Sequence, residues 1–384
     1  MLKPNVILID ESPIYGGHES MFMSFLENIL PQLLNVVSVN FVINSRNHKL
    51  IAQLKGVQFS NVIVHELTLS KLPIKPISQF LFQSDSTKIR SCFDKIRPAL
   101  VLNIQGTIEI GCTTLRVCKS LDVPVISYLP ITKSSAQLGV FLGGIRDYIC
   151  KSLYYSIPKK IITISNTNSN ELQNLFSVPL ERISVVHNFV ESPKVNIRMM
   201  LPEFALSKKH LTLVGRISNS QKQQFNFLSA WLASDLANDY VVHIVGDSDD
   251  NESNQLRNLC AEGVVKGGVV FHGWQSSEYV TQVIKKSDAL LLPSRFEGVP
   301  LVMLEAIALG RIVLGSAVDG MKEFLPPEWT FEVGDWPSMF QTIKTLENFE
   351  KHDLLIKATQ HHFGVFNKLT NTQKFLTILL EELD

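Results

Sequence analysis

What this chain of 384 residues lacks narrows its class before any motif is sought. It lacks an excess of either charge: 36 basic and 36 acidic residues cancel, so no global field recruits nucleic acid. Short basic pairs such as Lys159-Lys160, Lys208-Lys209 and Lys285-Lys286 read as solvated surface. No window holds the roughly 18 uninterrupted apolar residues that a bilayer span requires. The five cysteines (Cys92, Cys112, Cys118, Cys150, Cys260) have no CxxC spacing, which argues against a disulfide frame or a zinc site and for free thiols in a reducing compartment. No two of the 20 glycines stand two apart, so no G-x-G-x-x-G dinucleotide fingerprint exists. Gly310 and Gly315 have Walker-like spacing, but Ser316 occupies the lysine position. The ten histidines include no H-x3-H pair, and no serine sits in G-x-S-x-G, which leaves metal and serine hydrolases without support. The start, MLKPNVILIDESP, has too short an apolar run for a signal peptide and reads as a first strand. A cytoplasmic protein is expected.

What is present is a 45% hydrophobic chain with 19% charged residues, ample for two packed cores. Apolar, β-branched runs alternate with helical stretches. In the first half they are residues 5–10, 35–43, 61–67, 99–105, 124–129, 161–165 and 183–188; in the second, 211–217, 240–247, 268–274, 289–294 and 312–316. Near-continuous apolar strands between helices imply parallel sheets covered on both faces. Two such series predict two doubly wound α/β domains, at 1–190 and 210–360. Residues 191–209, with Pro193, Pro202 and no clean period, read as the connection. The segment 361–384 ends in an apolar stripe of Phe375, Leu376, Leu379, Leu380 and Leu383 behind a Thr370/Asn371 cap, as expected of a helix returning to the first domain.

Open α/β sheets bind ligands beyond the carboxyl ends of their strands, so the loops after strands carry the functional signal. SRFEGVPLVMLEAIALG, residues 294–310, is such a place. Pro300 suits the first helical position, and the free backbone N–H groups of about residues 299–301 make an anion site at a helix start, beside Gly298, Val299 and Leu301. Glu297 precedes that start; Glu305 follows it on a face shared with Leu301, Leu304 and Ala308. Glu305 lies about 7–8 Å beyond Pro300 along the axis, and two carboxylates so separated suit two polyhydroxyl groups flanking a diphosphate rather than one shared proton. Arg216 and Lys222 follow another strand, where cations stabilise a departing phosphate anion. Gly16 and Gly17 follow the first strand and let backbone approach a ligand closely. Glu19 fits the dipole at a helix start.

These pieces together resemble retaining GT-B glycosyltransferases, especially glycosyltransferase family four. Glu297 and Glu305 resemble its E-x7-E signature; Gly215, Arg216 and Lys222 its Gly-Arg…Lys loop; YGGHE its N-terminal glycine loop; Gly320 and Glu323 the sequel to the acidic pair. The matches run in order from about residue 5 to 325. The resemblance implies a GT-B fold, two Rossmann-like domains facing across a cleft. The N-terminal domain would bind the acceptor, and the C-terminal domain a UDP- or GDP-activated sugar. It implies a hexosyltransferase-like enzyme of polysaccharide biosynthesis, moving the sugar with retention and without a metal or other cofactor. The acceptor would be a hydroxyl on a glycan or lipid-linked saccharide. Glu297 would position the sugar, Glu305 the ribose, and Arg216 and Lys222 the diphosphate; Gly16, Gly17, Gly215, Gly298, Val299, Pro300 and Leu301 would line the donor, and His18 would touch the acceptor. Front-face displacement, with the departing phosphate taking the acceptor proton, demands no dedicated base.

Three departures stand out. Arg216 and Lys222 are six apart rather than five, and Gln223 replaces the usual Gly. The histidine found after the fifth strand in relatives is absent; that place reads SYLPIT, with Tyr128, Pro130 and Thr132. Asp247-Ser248-Asp249 looks like a metal-binding DxD but lies in a Gly-Asp turn, and reads as solvated loop. Phe80, Leu81 and Phe82 are the candidates for peripheral contact at the inner membrane face. A GT-B-fold sugar-nucleotide epimerase and a non-catalytic nucleotide-sugar-binding relative stay open as alternatives.

Overall fold

The computed structural model describes residues 3–190, 208–247, 251–265, 268–346 and 353–383. The chain divides into two compact units, Met1–Asn188 with Lys368–Asp384, and Phe189–Asn367. The expected connection 191–209 lies, as far as Ser207, outside the described residues, as do Ser248 and Asp249.

The first unit holds a sheet of seven strands: β1 (Asn5–Asp10), β2 (Ser38–Asn44), β3 (Ile63–Leu67), β4 (Pro98–Ile104), β5 (Val125–Tyr128), β6 (Lys160–Thr163) and β7 (Ile183–Val185). Their spatial order is β3-β2-β1-β4-β5-β6-β7, every pairing parallel. Ile7, Leu8 and Ile9 in β1 are all fully buried, because helices cover both faces of a parallel sheet and leave no solvent side for alternation. Local side chains fix helix starts: Asn47 accepts the Leu50 amide and Ser165 the Asn168 amide. The second helix boundary departs from the sequence reading. The first helix, Gly17–Val36, runs into the residues expected to open β2, and the strand begins only at Ser38.

The helix Lys368–Glu381 belongs to this first unit and lies on Gly17–Val36. Phe375 is fully buried and stacks on Phe25 at 4.8 Å between ring centroids, with Tyr128 edge-on at 5.9 Å. Thr370 and Asn371 do not cap this helix, which starts two residues earlier. Asn371 instead accepts the His187 amide at 3.0 Å, tying the helix to the chain just beyond β7.

The second unit holds six strands: β8 (Lys209–Val214), β9 (Tyr240–Val245), β10 (Val269–Gly273), β11 (Ala289–Leu292), β12 (Ile312–Ser316) and β13 (Thr330–Phe331), in the order β10-β9-β8-β11-β12-β13. This is the doubly wound order of a dinucleotide-binding fold, and its crossover direction reverses between β8 and β11. In the first sheet the reversal falls between β1 and β4. Ligand-binding loops are therefore those after β8 and β11, and those after β1 and β4. Among the described residues, no helix is long and apolar enough to cross a membrane.

Candidate functional site

In the second unit both loops at the reversal carry the residues singled out by sequence. Gly215 ends the β8 side with φ +137°, a backbone that side-chain-bearing residues rarely adopt. Its amide donates to the Val245 carbonyl at 2.9 Å. Gly246, in the next loop, packs so closely that a Cβ there would lie 2.0 Å from the Gly215 carbonyl oxygen. The Gly246 amide in turn donates to Gly273 at 2.8 Å. Three glycines thus bring the backbone at the ends of β8, β9 and β10 together, and hold the turn that presents Arg216. The Arg216 side chain is exposed and forms no ion pair among the described residues, while its carbonyl accepts from Gln224 Nε2 at 2.9 Å.

Lys222 folds back beside Gly215 and pairs with Glu297 Oε1. Ser294 Oγ donates to the same oxygen at 2.7 Å. The Glu297 amide donates to Asp319 Oδ2 at 2.8 Å, and Gly320 N–H donates to the Gly298 carbonyl at 3.0 Å. A Cβ on Gly320 would meet that carbonyl oxygen at 2.3 Å, so only glycine fits. The loop before Glu297 is also tied to the β8 loop, Arg295 N–H donating to the Gln221 carbonyl at 2.7 Å. Lys222 and Glu297, 75 positions apart, are therefore brought together by design of both loops.

The helix Leu301–Ala308 begins one residue later than expected: Pro300 is its extended N-cap, not its first helical residue. The Pro300 carbonyl accepts from Met303 and Leu304, which leaves the amides of Leu301 and Val302 without an acceptor among the described residues. The free donors of the helix start are those two rather than 299–301. Val299 is buried, and Gly298 is engaged through its carbonyl. On this helix Met303, Leu304, Ala306 and Ile307 face the core, and Glu305 stands at the edge of that face. Its carboxylate makes no hydrogen bond among the described residues, and burial raises its pKa. The side chain is thus held in apolar company with its acceptor capacity unspent.

In the first unit, Gly16 is the extended N-cap of Gly17–Val36, and its amide donates to Glu19 Oε2 at 2.7 Å. Glu19 therefore does more than complement a dipole: it reaches back as half of a capping box. The amides of Gly17 and His18 open the helix without acceptors among the described residues. A Cβ on Gly106, just beyond β4, would touch the His18 ring at 3.1 Å, so the two loops at the reversal of this sheet meet over that imidazole. Asp10, the last residue of β1, is fully buried; burial first, then Glu19, raises its pKa well above the ordinary carboxylate value.

Sequence reading missed Ser294, Asp319 and Gly246. Each acts through a partner more than twenty residues away or through backbone contact, except Ser294, whose position three before Glu297 was a legible signal. Tyr128, in place of the absent histidine, is buried in the aromatic cluster around Phe375, while Thr132 donates to Glu171 Oε2 at 2.5 Å. Asp247 is no free loop carboxylate: Ser253 and Arg257 both donate to it, Arg257 at 3.0 Å.

Residues 208–348 match the family described as glycosyl transferases group 1. An uncharacterised glycosyltransferase of Methanocaldococcus jannaschii is 25% identical over 178 residues, 44% of this chain and 45% of that protein, so the match spans less than half the archaeal relative's length. The lipopolysaccharide 1,6-galactosyltransferase of Escherichia coli K12 is 33% identical over 321 residues, 82% of this chain and 80% of that enzyme. Among solved structures, Anabaena HepE in complex with UDP-glucose superposes with a TM-score of 0.74 at 14% identity, covering 98% of this chain and 99% of that one. That likeness carries the fold, GT-B, and the similarity to the enteric enzyme carries the family: the chain belongs to the group 1 glycosyltransferases.

Proposed function

We propose that the chain transfers a hexose from a UDP-sugar to a hydroxyl of a glycan acceptor, with retention of anomeric configuration and without a metal at the reacting centre. The observation that carries this reading is the convergence of Arg216, the Lys222–Glu297 pair and the open amides of Leu301 and Val302 at the β8/β11 reversal. Backbone amides at a helix start and a guanidinium fork suit the two phosphates of a nucleoside diphosphate. As the glycosidic bond breaks, negative charge grows on the departing phosphate, and preoriented cations lower the barrier without reorganising. Glu297, fixed by Ser294 and Lys222, is the group to orient the sugar. Glu305 takes the ribose: vicinal hydroxyls satisfy a carboxylate that the protein leaves unpaired. His18 is assigned to the acceptor hydroxyl. The uridine base and the saccharide acceptor are inferred from the two named relatives, the UDP-glucose complex and the lipopolysaccharide enzyme.

The test is a thermal-shift screen of UDP, GDP, ADP and CDP, followed by an anomeric NMR assay with the responding sugar nucleotide. UDP is expected to raise the melting temperature of the wild type and not of Glu305→Ala. Arg216→Ala should lower kcat by about 10²–10³ while leaving UDP-sugar binding measurable. No response to any nucleotide, or an inverted product, would sink the proposal.

A lipid-linked acceptor would bring the protein to a membrane face, and one surface of the first unit suits that. Leu81 is 78% exposed, with Phe80 and Phe82 beside it, and Phe141 and Tyr148 are 73% and 72% exposed. The helices Lys75–Ser78 and Gly143–Leu153 that flank these residues pack together. Flotation with anionic vesicles should carry the wild type and leave a Leu81→Ser/Phe141→Ser variant behind; equal flotation would remove the assignment.

A further inference from the structure

We propose that Asp10, His18 and Glu19 form a binding site for one first-row divalent cation, of the Mn²⁺ to Zn²⁺ range, at the sheet reversal of the first unit. One ligand atom from each, two carboxylate oxygens and an imidazole nitrogen, lies within 4.8 Å of the others. His18 Nε2 and Glu19 Oε1 are 2.9 Å apart. Neighbouring ligands around an ion at about 2.1 Å stand about 3 Å apart, so small side-chain rotations complete the set.

The second observation concerns what those atoms lack. Asp10 Oδ2, Glu19 Oε1 and His18 Nε2 are each buried, and beyond the contact between His18 and Glu19 none of them makes a hydrogen bond with the described residues. Asp10 is fully buried and Glu19 is 1% exposed. The other oxygen of each carboxylate is spent on backbone: Asp10 Oδ1 accepts the Ser12 amide at 2.7 Å, and Glu19 Oε2 the Gly16 amide. Each carboxylate is thus anchored at one oxygen, and the other oxygen is left to turn toward the shared space. Among the described residues no Lys or Arg forms an ion pair with either; Lys75 pairs with Glu11 instead. Two buried carboxylates with no Lys or Arg bonded to them are costly when both are ionised, and a shared divalent ion removes that cost. Two carboxylates with one imidazole is a donor set for Mn²⁺, Fe²⁺, Co²⁺ or Zn²⁺ rather than for Mg²⁺ or Ca²⁺, which favour oxygen alone.

The site is local and supplies no step of sugar transfer. Two of its ligands sit in the first turn after Gly16 and Gly17, and the third ends β1, so the ion would clamp the glycine loop to the sheet. His18 would be oriented by the metal through Nε2.

The experiment uses the full chain, stripped with chelator and dialysed. Zn²⁺, Mn²⁺, Co²⁺, Mg²⁺ and Ca²⁺ are added separately, read by thermal shift and by metal analysis after gel filtration. One Zn²⁺, Mn²⁺ or Co²⁺ per chain and a rise of several degrees are expected, with Mg²⁺ and Ca²⁺ inert. Asp10→Asn keeps the Oδ1 acceptor for Ser12 and so should fold, yet lose the bound ion; His18→Ala, at a partly exposed side chain, should lose it as well. A wild type indifferent to every ion, or shifts unchanged in both variants, overturns the site. Because the readout is metal content and melting, a failure here leaves the nucleotide screen untouched.

Discussion

At the scale of single residues, Gln223 is the clearest case of a position the chain uses against its preference. It precedes the helix Gln224–Leu232 with φ +55°, in the left-handed region that costs a side-chain-bearing residue roughly 1 kcal/mol. Its amide donates to the Ser218 carbonyl at 3.2 Å and so closes the turn carrying Lys222. The turn needs a left-handed residue here, not a missing side chain. Gln223→Gly should raise stability by a few tenths to about 1 kcal/mol, since the backbone bond is kept and the strain removed. Urea unfolding of the two proteins measures it; a destabilised glycine variant would mean that the Gln223 side chain contributes more than its conformation costs. The same scale explains what could be read ahead. Glu297, Glu305 and Arg216 were legible because carboxylates and cations after apolar strands have few structural uses. Asp319 was not, because its oxygen meets the Glu297 amide only after β12 has formed between them.

At the scale of elements, twelve of the thirteen strands among the described residues were legible, because a strand buried on both faces must be apolar throughout. The missing one, β13, has two residues at a sheet edge and no pattern to carry. The sequence was silent on a consequence of parallel register in the second sheet. His210, His243 and His272 stand side by side on β8, β9 and β10: His210 Nδ1 lies 2.9 Å from His243 Nε2, His243 Nδ1 2.9 Å from His272 Nε2, and His272 Nδ1 2.9 Å from the Tyr279 hydroxyl. Burial, then His272 and His210, lower the His243 pKa to about 3, and burial lowers that of His272. The folded chain therefore refuses protons that the unfolded chain takes up near pH 6.5. The unfolded state binds more protons below that pH, so stability is full above it and falls as pH drops from about 6.5 towards 3. The slope approaches about 1 kcal/mol per pH unit for His243 alone. Asp10 and Glu305, with raised pKa values, act in the opposite sense, so a variant comparison is needed. Urea midpoints at pH 7.5, 6.5, 5.5 and 4.5 should fall more steeply for wild type than for His243→Gln. Parallel curves would mean that the buried rings do not govern acid sensitivity.

At the scale of the whole molecule, the division into units is not a division of the chain into halves. The second unit is one continuous stretch, Phe189–Asn367, whereas the first is completed only by Lys368–Asp384. Its aromatic core depends on that return: Phe375 stacks on Phe25 and meets Tyr128 and Phe22, so the cover of β5 and of the first helix comes from the far end of the sequence. All four tryptophans (Trp231, Trp274, Trp329, Trp336) fall in the continuous unit, so their fluorescence reports on it alone, while circular dichroism reports on both. Ending the chain after Asn367 should therefore lower the melting of part of the dichroism signal and leave the tryptophan transition in place. Phe375→Ala, which removes one buried aromatic and keeps the helix, should cost the first unit about 3–5 kcal/mol with the same asymmetry between probes. If the tryptophan and dichroism transitions shift together in both variants, the two units unfold as one cooperative body, and the stability of each is then set by the other rather than by the return of the last helix.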